Sequence, residues 1–287
     1  MTVRIIPRLD IKGPNLVKGI HLEGLRVLGK PELFARSYYA QGADELLYMD
    51  VVASLYGRNS LLEFVARTAQ EIFIPLTVGG GLRTLEDIKQ TLRAGADKVA
   101  LNTAAIRDPD LVREAARRFG SSTIVISIEA IKKGDGWYEA YTDNGRQPTG
   151  VDAMAWAVQA AELGAGELLV TSIDQEGTGR GFDGTLTRRI AESVSIPVIA
   201  CGGAGTIEHL HDIVVHGHAD AVCLASMLHY HLVRQGRTGG DFSGEGNLEY
   251  LKTERTFSLI QGTPLPQVKR VLMDRGVPCR VEEPVDV

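Results

Sequence analysis

From Gly42 to Gly95 the chain can be laid on Gly164 to Gly217 at a constant offset of 122 residues without a gap. In this register GADELL at 42 meets GAGELL at 164, Gly57-Arg58 meets Gly179-Arg180, Ile74-Pro75 meets Ile196-Pro197 and Gly80-Gly81 meets Gly202-Gly203. One extra residue at His218 shifts the register, after which Asp97 falls on Asp220, Asn102 on Ala225 and Thr103 on Ser226. A unit repeated once at nearly half the chain length argues for a closed, pseudo-twofold architecture, because solenoid repeats run about 20 to 50 residues. What one half binds, its copy is built to bind as well.

Short apolar runs bounded by turn residues alternate with helical patterns, the signature of successive βαβ units around a parallel sheet. Eight strands are expected: Arg4 to Leu9, Glu45 to Val51, Pro75 to Val78, Lys98 to Leu101, Thr123 to Ile128, Glu167 to Ser172, Pro197 to Cys201 and Ala221 to Leu224. Each is nearly continuous in Val, Ile and Leu, as strands covered on both faces are. The expected fold is an α/β (β/α)8 TIM barrel of two pseudo-symmetric half-barrels, one domain over 1–287. In such a barrel, chemistry sits at the carboxyl ends of the strands. Two segments break the pattern. Ile11 to Lys30 is long for a βα connection and suits a mobile lid. Residues 234–264, with GRTGGDFSGEG, read as a loop insertion before a last helix at Leu265 to Arg275.

With a net charge of −5 the surface offers no basic stripe for nucleic acid. Charges at Arg4, Arg8, Asp10 and Lys12 interrupt any secretory leader, and no run of about 18 apolar residues marks a membrane span. A cytoplasmic protein is expected. Cys201, Cys223 and Cys279 form no CxxC pair and read as buried small hydrophobes or bystanders, so no metal site is expected.

Gly79-Gly80-Gly81 follows the third strand and precedes Thr84, which begins a helix, leaving backbone N–H groups open to an anion. Asn102 and Thr103 stand beside it at the tip of the fourth strand. Gly202, Gly203, Ala225 and Ser226 form the repeated copy. A lone glycine pair is usually only a tight turn, but two equivalent cups imply a substrate with a phosphate at each end. Asp10 ends the first strand and Glu129 the fifth, equivalent at an offset of 119 residues. Facing each other across the mouth, two carboxylates can divide acid and base roles; alternatively they simply pair with Lys12 and Lys132. Lys18, Asp50, Ser172, Asp174, Glu176 and Asp183 add polar groups to the rim, with Lys18 placed to close over a ligand. At the opposite end, Arg4, Glu45, Lys98 and Glu167 start four strands and would ring the bottom opening, either as a solvated salt-bridge ring or with a function.

RIIPRLDIK, the loop ending in LVKG, TVGGG, ADKVALNTAA, GAGELLVTSID, GTGRGFD and IACGGAG together resemble the cyclase subunit of imidazole glycerol phosphate synthase. The similarity runs from about Arg4 to Tyr230 and resumes at Leu265 to Arg280. The resemblance implies that ammonia from a glutaminase subunit, bound at the amino-terminal face, crosses the barrel to a bis-phosphorylated ribulosyl aminoimidazole carboxamide. Imidazole glycerol phosphate and an aminoimidazole carboxamide ribotide would be the products, with no cofactor. It implies Asp10 as a catalytic carboxylate, Lys18 in the closing loop, and Arg4, Glu45, Lys98 and Glu167 as an ammonia gate. Gly81, Asn102 and Thr103 match one phosphate site; Gly177, Gly203, Ala225 and Ser226 match the other.

The sequence also departs from that family. Glu129 stands where an aspartate is usual, one methylene longer, and a displacement of about 1 Å can cost roughly 10²-fold in rate. Glu176 likewise replaces an aspartate, and typical members lack the insertion. A branch acting in surface-glycan synthesis, where glutaminase-derived ammonia amidinates a nucleotide-linked sugar, is similar in RLDIKGPNLVKG, Glu129 and the insertion. A noncatalytic conduit that activates a glutaminase is a third reading. The isomerase of the preceding histidine step shares two carboxylates and two cups, but needs no ammonia and so no charged ring.

Overall fold

Eight parallel strands close on themselves in the computed structural model, which describes residues 2–53, 61–236 and 259–281. They are β1 (Arg4–Lys12), β4 (Leu46–Asp50), β5 (Leu76–Gly79), β6 (Lys98–Leu101), β7 (Ile124–Lys132), β10 (Glu167–Ser172), β11 (Val198–Cys201) and β12 (Ala221–Leu224). Hydrogen bonding runs β10-β11-β12-β1-β4-β5-β6-β7, and the pairing of β7 with β10, from Glu167 opposite Val125 to Ser172 opposite Ala130, closes the barrel. The expected (β/α)8 barrel and its eight strands are therefore present, with ends differing by a few residues.

Helices fill the crossovers: α1 (Pro31–Ala40), α2 (Leu62–Ala69), α3 (Leu85–Arg93), α4 (Thr103–Arg107), α5 (Asp110–Phe119), α6 (Ala153–Glu162), α7 (Gly184–Ser193), α8 (Ile207–Val215), α9 (Ser226–Arg234) and α10 (Leu265–Asp274). Strand side chains alternate between the two faces. Outward-facing Ile5, Leu9, Tyr48 and Val222 pack under the helices, whereas Ile6, Leu47, Val125, Leu169, Ile199 and Cys223 fill the barrel interior. The sequence repeat is kept in hydrogen bonds: Asp97 accepts from the Leu76 N–H at 2.9 Å, and its copy Asp220 from the Val198 N–H at 2.8 Å.

Two elements differ from expectation. The segment after β1 is a β-hairpin, β2 (Asn15–Ile20) and β3 (Glu23–Gly29), rather than a long irregular loop. It extends β1, with Asp10 opposite Val17 and Lys12 opposite Asn15. Its copy follows β7 as β8 (Tyr138–Thr142) and β9 (Gln147–Asp152), with Glu129 opposite Tyr141. Turn residues with left-handed backbone, Gly13, His21, Leu22 and Gly24 in the first hairpin and Asp143, Asn144 and Gly145 in the second, produce the reversals. The irregular composition of 11–30 concealed this, because short edge strands carry little hydrophobic alternation. Most of the expected insertion, residues 237–258, lies outside the described residues. Where the chain is described again, the Gln261 N–H donates to the Gly205 carbonyl and Ile260 is buried in the core.

Candidate active site

Arg4, Ile6, Arg8 and Asp10 are successive inward-facing positions of β1, so one strand carries charge from the barrel floor to its mouth. At the floor, Arg4 Nη1 lies 2.9 Å from Glu45 Oε2 and 3.2 Å from Glu167 Oε1. Lys98 Nζ binds the same two carboxylates at 2.9 and 3.0 Å. The four residues singled out at the strand starts thus close one ring of alternating charge. Glu45 also accepts from the Thr77 hydroxyl.

At the mouth, Asp10 and Glu129 are both buried, at 3% and 4% exposure. Neither carboxylate pairs with Lys12 or Lys132, which point outward and are exposed. Asp10 Oδ1 instead accepts from Arg8 Nε at 2.7 Å. Arg8 is fully enclosed. Its Nη1 reaches Cys201 Sγ at 3.6 Å, its carbonyl accepts from His229 Nε2 at 2.9 Å, and its Nη2 has no partner among the described residues. Burial keeps His229 neutral, with its pKa lowered to about 3.

Glu129 Oε2 likewise has no hydrogen-bond partner among the described residues. Burial raises the Glu129 pKa to about 7, against the pull of the Arg8 charge and the Gly145 backbone. Its neighbours in the barrel wall are Thr171, opposite it on β10, and Ser127, two residues below on β7; both hydroxyls are buried without partners among the described residues. One of these hydroxyls therefore sits beside the carboxylate and the other beneath it. Buried polar groups ordinarily find partners, so such a cluster marks a place built to receive a polar ligand.

A cavity of about 250 Å³ opens beside Glu129 and Ser127, walled by Asp50, Gly80, Gly81, Asn102 and Thr103. This is the first glycine cup, and it adjoins the carboxylate directly. Gly80 and Gly81 have φ of +97° and +73°, and their copies Gly202 and Gly203 have +90° and +109°. A Cβ on Gly80 would sit 2.3 Å from the Asp50 carbonyl oxygen, and one on Gly203 2.0 Å from that of Gly181. Asn102 and Ala225, preceding α4 and α9, share an unusual backbone at φ/ψ of −130°/−84° and −125°/−81°. No side chain caps either helix, so the first N–H groups of Thr103 and Ser226 face their cups. Asn102 Nδ2 donates to the Tyr141 carbonyl at 3.1 Å and Thr103 Oγ1 accepts from the Asp143 N–H, which leaves the Thr103 hydroxyl proton and the backbone N–H groups to hold an anion.

Lys18 is folded down rather than exposed on a lid: its Nζ is ion-paired with Glu176, and both side chains are buried. The same carboxylate accepts from the Leu22 N–H, and His21 Nδ1 contacts the Ile173 carbonyl at 2.8 Å. Gly177 lies against Gly19 so closely that a Cβ would meet its carbonyl oxygen at 2.7 Å. Thus Lys18, Glu176 and Gly177 form the seam between the first hairpin and the second cup. Ser172 Oγ, at the end of β10, is buried without a partner among the described residues. Asp50 accepts from the Val52 N–H, Asp174 from the Lys132 N–H, and Asp183 caps α7, so these three orient loops.

Arg8, Ser127 and Thr171 escaped the sequence reading. For Arg8 the signal was available, since it lies midway between Arg4 and Asp10 in the period-two row of β1. Cys201 and Cys223 are buried register partners on β11 and β12, consistent with small interior side chains. Among the described residues no helix is long and apolar enough to cross a membrane.

Residues 4–234 match the family model described as histidine biosynthesis protein. The chain is 60% identical over 209 residues to an imidazole glycerol phosphate synthase subunit HisF of Legionella pneumophila, covering 73% of this chain and 99% of that relative. It is 53% identical over 232 residues to the HisF subunit of Thermosynechococcus vestitus, covering 79% and 83%. Barrel, repeat and these relatives agree: the chain belongs to the HisF family of histidine biosynthesis proteins.

Proposed function

We propose that this chain is the cyclase subunit of imidazole glycerol phosphate synthase, drawing ammonia from a glutaminase bound at its amino-terminal face. The observation that carries the reading is alignment along one axis. The ring of Arg4, Glu45, Lys98 and Glu167 lies at one end, the unpaired hydroxyls of Ser127 and Thr171 lie inside, and Glu129 and Asp10 lie at the other. Neutral ammonia rising through the ring meets polar stations and then the substrate carbonyl. It attacks the carbonyl, whose oxygen leaves as water to give an imine, and ring closure then expels the aminoimidazole carboxamide ribotide, with the carboxyl pair serving the proton transfers. A bis-phosphorylated ribulosyl aminoimidazole carboxamide spans the mouth, one phosphate at Gly80, Gly81 and Thr103, the other at Gly177, Gly202, Gly203 and Ser226. Phe73, 80% exposed in the connection into β5, and Tyr39, in edge contact with it at the end of α1, give the amino-terminal face an aromatic anchor for the glutaminase.

Purified protein supplied with ammonium salt and this bis-phosphate is expected to release imidazole glycerol phosphate; absence of turnover at saturating ammonium overturns the reading. A second reading keeps ammonia but changes the acceptor to a nucleotide-linked sugar. It is favoured by the 2.7 Å pairing of Asp10 with Arg8, which ties up one of the two carboxylates. Ammonia-dependent amidine formation on a sugar carboxamide, with the bis-phosphate inert, would select it.

A further inference from the structure

Arg8 is the one guanidinium enclosed in the barrel interior among the described residues, at 2% exposure, and it touches the site from two sides. Nε grips Asp10, while Nη1 extends to Cys201 on β11. A buried arginine with an unused Nη2 has been taken out of water without full compensation, which needs a reason in the site it occupies. Asp10 is thereby held in one rotamer by a charge-assisted bond, whereas Glu129 has an oxygen with no partner among the described residues.

We infer that Arg8 is a positioning residue: its guanidinium anchors Asp10 as a fixed carboxylate and so leaves Glu129 as the group that gives and takes the proton. The inference deepens the ammonia-transfer reading above and rests on it for the reaction, though not for the charge arrangement. The two equivalent carboxyl groups of the repeat are then unequal. Asp10 supplies a stationary negative charge for the developing cation, and Glu129 alternates between protonated and ionised forms. Burial delays the ionisation of Glu129 towards neutrality, against the pull of the Arg8 charge and with a smaller push from Asp10.

The other titratable groups facing this trio leave the assignment intact. Lys18 of β2 and Glu176 satisfy each other. Cys201 is drawn below its usual value by a hydrogen bond from Cys223 and then by Arg8. His229 of α9 stays neutral. On the cavity side Asp143 is paired with Arg107, Asp50 accepts from the Val52 N–H, and Tyr141 opposite Glu129 is held by Lys133.

The test is a 13C-carboxyl NMR titration of selectively labelled protein, followed through Glu129, in wild type, Arg8→Gln and Arg8→Lys, with turnover against pH on the same preparations. Wild type is expected to titrate at about 7. Arg8→Gln should move the Glu129 midpoint upward and lower kcat by roughly 10²-fold. Arg8→Lys keeps the charge but loses the fork, so the midpoint stays while kcat falls about 10-fold. Unchanged Glu129 titration in Arg8→Gln overturns the inference. If that variant does not fold, Asp10→Asn serves instead: it frees the Arg8 charge and should move the Glu129 midpoint downward, and no movement is equally fatal. NMR requires no substrate, so failure of the cyclase assay would remove the proposed reaction and leave this assignment standing on its own measurement.

Discussion

Substituting Glu129 by Gln should make the protein more stable in alkali, and the size of the gain follows from burial. The carboxyl is enclosed, Oε2 has no partner among the described residues, and its pKa rises from 4.5 to about 7. A folded-state value above the unfolded one means that the native protein binds the proton more tightly. The stability this confers is therefore complete below pH 4.5 and is lost as pH rises through 7. At about 1.36 kcal/mol per tenfold change in acidity, the loss amounts to about 3 kcal/mol. The glutamine that replaces Glu129 keeps the shape and carries no proton to lose. Urea unfolding of wild type and Glu129→Gln at about pH 4.5 and 8.5 should show the difference in stability between them growing by about 3 kcal/mol in favour of the variant. The variant's turnover should vanish at every pH. A difference independent of pH, or one growing in favour of wild type, would refute the claim that Glu129 is held protonated near neutrality.

Phe73→Asp should leave ammonium-driven turnover in place while weakening glutaminase binding by about 2 kcal/mol, roughly 30-fold, read by titration calorimetry and glutamine-dependent turnover. Lys18→Met strands the buried Glu176 carboxylate at a cost of about 3–5 kcal/mol, so hydrogen exchange should accelerate across residues 15–29; adding Glu176→Gln should restore part of the protection. Gly203→Ala, blocked at 2.0 Å by the Gly181 carbonyl and strained at φ +109°, should raise KM for the bis-phosphate. Gly13→Ala, with open space around its Cβ, should leave KM unchanged and cost about 1 kcal/mol for its left-handed backbone.

The barrel was legible because its strands are buried on both faces and because duplication doubled every signal. Lys98 to Leu101, Glu167 to Ser172 and Ala221 to Leu224 were placed to the residue. The cups were legible for a related reason: Gly80-Gly81 recurs as Gly202-Gly203, and left-handed backbone is something glycine supplies and other residues rarely do. The hairpins were not, because Asn15–Ile20 and Glu23–Gly29 depend on pairing with β1 rather than on their own alternation. Arg8 was overlooked because a charged residue one step from Asp10 looked like part of a polar strand end. The closed barrel removes hydration from that inward position, and the nearest carboxylate becomes its counter-ion.

The same closure explains why a duplicated chain does not have two identical sites. Each hairpin leans on the opposite half: β2–β3 docks through Lys18, His21 and Leu22 onto Ile173 and Glu176, while β8–β9 docks through Tyr141 and Asp143 onto Asn102 and Thr103. Asn144 and Leu22 join the two tips, and Leu22, Tyr141 and Ile173 pack together over the mouth. Under that clasp the halves have diverged at equivalent positions. Asp10 has an arginine, whereas Glu129 has an oxygen without a partner among the described residues; Asn102 ties down a hairpin where Ala225 has no polar side chain to do so. An elongated ligand entering such a mouth meets one end that is open beside the proton-exchanging carboxyl and another bordered by the Lys18–Glu176 pair. Its orientation is then decided by which half holds Glu129, so exchanging the two carboxyl types, Asp10→Glu with Glu129→Asp, should abolish turnover even though the site's composition is unchanged.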